Sequence, residues 1–388
     1  MMLALSAVIS LVLALDGRVV LRDRDSAPVP GVSGADAAGV RAGEGPSARL
    51  IPWQQVARVE GEFADEAAAW VAQGDLVWRA LQRLERGDLP SAEELLESLH
   101  GPIIETRGPT AAAIWKSLVR CRIERGAQTA AAGAWLAWLG VGGPAFESTA
   151  GPDEPSAMEG REEAGLIPGL PPIWVDVPSV AVVAGARQAP WVLDADRAID
   201  PVEQLRAWYI HAARGACGTL SSVAGGDAVE WPPVSDERSV QIVSSVVLAQ
   251  YGNQAERLAA RERLKAMMDD RQGTWLEAWC RVAIGRSLTR EADPEIRRLG
   301  VVELLHLPAR LESAVPYLTG VALADAAATL RELGDMAGAT RLRGELLRRF
   351  GGHPAVEWNM IREWPAATPA TKTSQPELPE SEEPLNDR

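Results

Sequence analysis

Residues 84–96 read LERGDLPSAEELL, and the meaning of Gly87 in that stretch decides the fold. An apolar helical pattern runs into the glycine, a short turn follows, and a small residue, Ala92, stands five positions on. A Gly stop followed by Pro90, Ser91 and a new apolar stripe (Leu95, Leu96, Leu99) predicts two antiparallel helices joined by a tight turn. The same punctuation returns in IERGAQTAAAGAWL, residues 123–136, at Gly126 and Ala131. It returns again in RELGDMAGATRLR, residues 331–343, at Gly334 and Ala339. Helix pairs repeated along a chain are the pattern of a helical solenoid, in which each pair buries its apolar face against its neighbours.

Outward from these turns, helix is predicted from about Phe63 to Leu139. Asp75 reads as a cap, with Leu76, Ala80 and Leu84 on one face and Val77 and Leu81 beside them. A further helix runs from Thr110 through Trp115, Leu118 and Val119 to Gly126. On these residues the units resemble tetratricopeptide (TPR) hairpins. That family carries a large residue eleven before the turn Gly, a small one seven before, Ala five after and bulk nine after. The first unit supplies Leu76, Ala80, Ala92 and Leu96; the second supplies Trp115, Val119, Ala131 and Trp135, with Val in place of the small residue. The third supplies Leu323, Ala327 and Ala339, with Arg343 where bulk is expected. The resemblance implies a TPR-like α-solenoid whose concave face, lined by the first helix of each pair, binds a peptide or protein partner. Arg79, Arg83, Lys116 and Arg122 are the candidate partner contacts, as polar positions on such helices. Ala80, Gly87, Ala92, Trp115, Gly126, Ala131, Ala327, Gly334 and Ala339 are the expected packing positions of the repeat.

The 388 residues suffice for two domains, and a net charge of -14 argues against a nucleic-acid partner, because phosphate binding needs a basic face. Lys occurs only at 116, 265 and 372, so nearly all of the 39 basic residues are Arg, which with the abundant Ala and Gly suggests a GC-rich bacterial genome. The 14 Trp against three Tyr and three Phe are the compositional anomaly. They either fill wide gaps between helix pairs or, for a few, line a binding groove. Cys121, Cys217 and Cys280 are widely spaced with no CxxC, which reads as buried thiols rather than a disulfide framework, with one bridged pair the alternative in an exported chain.

Leu3–Leu15, LALSAVISLVLAL, carries no charge and is shorter than the roughly 20 residues a membrane span takes. It fits the apolar part of a secretory signal, so residues 1–15 are expected to direct export to the periplasm or envelope, with no stable transmembrane span; the alternative is a buried N-terminal helix or strand of a cytoplasmic protein. Over 16–61, Val19 and Leu21 alternate with polar neighbours, a turn-rich stretch runs from Pro28 to Pro46, and Leu50, Ile51, Val56 and Val59 supply one or two more strands. This predicts a small SH3- or Sm-like β module ahead of the hairpins of 62–140. The Gly/Pro/Glu-rich stretch 141–172 reads as a flexible linker. Ile173–Gly185 is apolar but broken by Pro178, either an irregular strand or an extended segment packed on helices.

A second helical-repeat domain is expected over 173–364. Asp200-Pro201-Val202-Glu203 reads as a capping box, and helices follow at about 237–250, 254–269, 274–288, from Asp293-Pro294 to before Pro308, and as a pair at 315–333 and 336–350. The Pro-rich acidic tail 365–388 reads as disordered.

Chemistry is sparse. His100, His211, His306 and His353 stand apart with no HExxH, and neither GxSxG nor a P-loop occurs. No catalytic residue, cofactor or metal site is therefore expected. The reading is a non-catalytic adaptor; an enzyme (a hydrolase) with scattered site residues and a self-associating structural subunit are the competing classes.

Overall fold

The computed structural model describes residues 17–23, 25–43, 48–142, 166–175, 200–220, 229, 231–269 and 271–364. The expected signal (1–15), most of the linker and the acidic tail (365–388) lie outside these residues. The described chain is mostly helical, with a small antiparallel sheet region at its N-terminal end.

Six strands form that region: β1 (Arg18–Leu21), β2 (Val29–Pro30), β3 (Val32–Asp36), β4 (Gly39–Ala42), β5 (Arg49–Ile51) and β6 (Val56–Glu60). They pair as two three-stranded sheets, β2-β1-β6 and β3-β4-β5. Val19 lies opposite Val59 and Val40 opposite Ile51, so alternate side chains face one core. The stretch from Pro28 onward, read as turns, instead contributes β2, β3 and β4. Its glycines and prolines mark strand ends and bulges: β3 and β4 form a tight hairpin in which Asp36 lies opposite Gly39, and β2 pairs back onto β1.

Trp53 joins this region to the helices. Its ring is fully buried, its Nε1 donates to the Asp36 carbonyl at 2.8 Å, and its main-chain N–H donates to the Thr110 hydroxyl at 3.0 Å. Helix α1 (Ala64–Glu85) passes directly over it. A Cβ at Gly74 would stand 2.5 Å from the Trp53 carbonyl oxygen, so only glycine lets the helix approach this closely. Asp75, expected as a cap, therefore lies inside a continuous helix, where it pairs with Arg22 at 2.8 Å and Arg79 at 2.6 Å.

The helix pairs form at all three marked turns. Helix α1 returns as α2 (Leu89–Glu97); after the one-turn α3 (Pro102–Glu105), α4 (Pro109–Glu124) returns as α5 (Gln128–Gly140). Gly87, Gly126 and Gly334 have φ of 78°, 78° and 84°, the left-handed conformation that side chains resist. Each turn closes identically: the residue after the glycine donates five positions back, from Asp88 to Arg83, Ala127 to Arg122 and Asp335 to Leu330, at 2.7–2.9 Å. Ala80, Ala92, Ala131, Ala327 and Ala339 are fully buried where the paired helices meet, and Trp115 is half-buried with its Nε1 on the Ile104 carbonyl.

Beyond residue 200 come α6 (Pro201–Ala216), α7 (Arg238–Tyr251), α8 (Gln254–Met268), α9 (Trp275–Leu288), α10 (Pro294–His306), α11 (Pro316–Glu332), α12 (Met336–Arg349) and the short α13 (Asn359–Arg362). Helices α7/α8, α9/α10 and α11/α12 are antiparallel neighbours, and the first helix of each, α7, α9 and α11, packs on the next. Asp200 caps α6 through the Val202 N–H, but Glu203 pairs with Arg206 instead of completing a box. The complete capping box is Asn253/Glu256 at α8. Among the described residues no helix is long and apolar enough to cross a membrane.

Candidate functional site

The four cations singled out in sequence do not converge. Arg79 pairs with Asp75 and Arg83 with Asp88, both about half exposed on α1. Lys116 is half-buried on α4. Arg122 is largely withdrawn from solvent: it bonds Glu93 at 3.1 Å, Glu97 at 2.8 Å and the Ala130 carbonyl at 2.9 Å. Arg125 adds a two-pronged contact to Glu93, and these hydrogen bonds, Arg125's first, hold the Glu93 carboxyl below the usual range. Arg122 thus fastens α2 to the α4/α5 pair, a structural task.

The structure brings together a different set of residues, around a segment expected to be linker. Residues 166–175, LIPGLPPIWV, are neither helix nor strand, yet Leu166, Ile167, Leu170, Ile173, Trp174 and Val175 are at most 5% exposed. Over 166–172 the linker reading is thus overturned: the segment lies in the common core of the helices. Ile173–Val175 continues it as an irregular segment packed on helices, one of the two forms the sequence allowed.

The strap is held by its main-chain carbonyls. Trp279 Nε1 on α9 donates to the Pro168 oxygen at 3.0 Å, and the Tyr209 hydroxyl on α6 donates to Leu170 at 2.8 Å. The Tyr317 hydroxyl on α11 donates to Ile173 at 3.2 Å, and Trp358 Nε1 donates to Val175 at 2.6 Å. Within the strap the Leu170 and Ile173 N–H groups reach the Ile167 and Pro171 carbonyls, and the aromatic donors satisfy the carbonyls of Pro168, Leu170, Ile173 and Val175, which lets the segment be buried without a ladder. Tyr209 is completely enclosed, and burial drives its hydroxyl pKa far upward, leaving it a neutral donor.

Two features border the strap. Next to Tyr209, Trp135 and Trp138 of α5 meet edge to face at 5.1 Å, and the Trp135 ring lies 6.0 Å from Tyr209. Among the described residues, the buried indole N–H groups of Trp135, Trp138 and Trp174 find no acceptor. Further along the first helices, Gln250, Arg286 and Asp325 link α7, α9 and α11: Arg286 reaches Gln250 at 3.1 Å and Asp325 at 2.8 Å. Burial raises the Asp325 carboxyl against the opposing pull of Arg286 and Arg290.

Among the described residues, no three His, Cys, Asp or Glu side chains gather closely enough to hold a metal ion. Sequence reasoning missed the burial of 166–172 and the four donors; the one signal present was the excess of Trp, which supplies two of them, Trp279 and Trp358.

Comparison with protein-family models, curated proteins and solved structures found no match to this chain.

Proposed function

We propose that the protein is a non-catalytic interaction adaptor. In this reading it is a TPR-like solenoid of helix pairs behind a small SH3- or Sm-like β module. It takes a peptide or protein partner on the face formed by the first helices of its pairs. One observation carries the reading: Trp279 and Tyr317, on the first helices α9 and α11, join Tyr209 of α6 in holding a chain segment, residues 166–175, through side-chain donors to main-chain carbonyls. Holding an irregular segment by its carbonyls uses atoms that every peptide offers. The three identical Gly turns support the TPR likeness, with buried Ala on either side of Gly87 and Gly334 and buried Val119 and Ala131 on either side of Gly126. Placement in the bacterial cell envelope rests on the apolar run Leu3–Leu15.

The test is affinity capture of the tagged full-length chain from its native host after mild crosslinking, with envelope and cytosol separated. The expected result is an enriched envelope protein whose recovery falls when Arg79, Arg83 and Lys116 are changed to Glu. Recovery of the bait alone, or of cytosolic proteins alone, overturns the exported adaptor.

A further inference from the structure

The strap has the attributes of a ligand rather than of a structural element. It forms no ladder with any strand, carries no charged side chain, and is gripped by donors from α6, α9, α11 and the residue preceding α13. Three prolines, Pro168, Pro171 and Pro172, remove main-chain donors that would otherwise need partners in so dry a place. It is also an incomplete ligand. The row of aromatic groups continues past Tyr209 to Trp135 and Trp138, whose indole N–H groups find no acceptor among the described residues, although the two side chains are 0% and 5% exposed. An enclosed donor left unmatched is destabilising, and a carbonyl delivered to it recovers that loss.

We infer that this aromatic groove is a binding site for a proline-punctuated, uncharged apolar peptide of a partner chain, and that residues 166–175 are its built-in substitute, displaced when the partner binds. The inference rests on the adaptor reading and names the partner's chemistry. Tethering gives the strap a high local concentration, so a competing peptide needs contacts the strap does not make. Trp135 and Trp138 provide them: a peptide running on from the Tyr209 end lends them its carbonyls.

The experiment uses the full chain carrying Ile173→Asp, which puts a charge in the fully buried part of the strap and weakens its hold. The probe is a fluorescent synthetic peptide, LIPGLPPIWV, followed by anisotropy. The variant is expected to bind the probe at least about tenfold more tightly than the unaltered chain, whose own strap competes. A probe with Asp in place of its second Ile, the one matching Ile173, gives no saturable signal. Adding Tyr317→Phe and Trp358→Phe to the variant removes two donors and weakens binding by more than about tenfold. If Ile173→Asp does not fold alone, recovery of the native near-ultraviolet dichroism on refolding with the probe supports the inference. A folded variant that takes up no probe, or an unfolded one that the probe does not restore, overturns it. In either of those cases, an envelope partner still captured from the host leaves the adaptor reading standing without this groove.

Discussion

The Tyr317 hydroxyl donates to the Ile173 carbonyl oxygen at 3.2 Å, across 144 positions of sequence. One bond thus ties the irregular strap to the first helix of the last pair, and Tyr317's own carbonyl receives the Nε2 of His353 at 2.9 Å. Removing only that hydroxyl, with Tyr317→Phe, leaves a buried carbonyl unmatched. The expected loss is about 1–2 kcal/mol, read from urea unfolding. Amide exchange over 170–175 should quicken while α1 to α5 keep their protection; uniform quickening, or none, refutes the role given to Tyr317.

His353 makes stability depend on pH. Burial lowers its pKa from 6.5 to about 4, and the ring is neutral in the fold: Nδ1 accepts the Ala355 N–H, and Nε2 faces the Tyr317 carbonyl. The unfolded chain therefore binds a proton between those two values while the folded chain does not. This contribution is complete above pH 6.5 and is lost as pH falls toward 4. Between pH 7 and 4.5 the unfolding free energy should drop by about 2–3 kcal/mol from this residue. His353→Gln should remove most of that slope. An unchanged slope in the variant assigns the acid sensitivity elsewhere.

Two glycines predict opposite outcomes for the same substitution. At Gly126, with φ 78° and nothing within 4 Å of an added Cβ, Gly→Ala costs only backbone strain, about 1–2 kcal/mol. At Gly133, inside α5 with equally open space, Gly→Ala should stabilise by about 0.5–1 kcal/mol. Thermal melts of the two variants check both signs at once.

Arg122 and Arg79 were equivalent as sequence candidates and should separate sharply on mutation. Arg79 is 52% exposed at its side chain and its pair with Asp75 is a surface pair, so Arg79→Ala changes stability by less than about 1 kcal/mol. Arg122 is 17% exposed and serves Glu93, itself 10% exposed, so Arg122→Ala should cost about 2–3 kcal/mol. Equal effects in chemical unfolding would mean that the Glu93 network does not anchor α2.

Cysteine labelling offers a test of burial. Cys121 is fully buried and its thiol is pushed up to about 11, chiefly by burial and then by Glu93, whereas Cys217 is partly exposed and less enclosed. Iodoacetamide at pH 8 should modify Cys217 first, with Cys121 protected until the chain unfolds. Mass spectrometry of timed digests would expose the reverse order.

The hairpin turns were legible because their physics is local. A left-handed residue, a cap such as Asp88 or Asp335, and an apolar stripe lie within some fifteen residues, so Gly87, Gly126 and Gly334 marked their turns without reference to the rest of the chain. The starts at Asp200 and Asp293 were legible for the same reason. Gly74 was not, because its meaning depends on Trp53 passing beside it. The strands after Pro28 were hidden by a composition that reads as turn until their partners are known. Least legible was LIPGLPPIWV. By its own residues its first seven positions, 166–172, read as linker, and the arrival of Tyr209, Trp279, Tyr317 and Trp358 from 39, 111, 144 and 183 positions away satisfies carbonyls that would otherwise oppose its burial. The sequence by itself determined where the chain turns and which helices pair, since those are short-range choices of backbone conformation. Which segment fills the groove was decided by the tertiary structure, because hydrogen-bond satisfaction in a dry interior is a property of distant groups brought together.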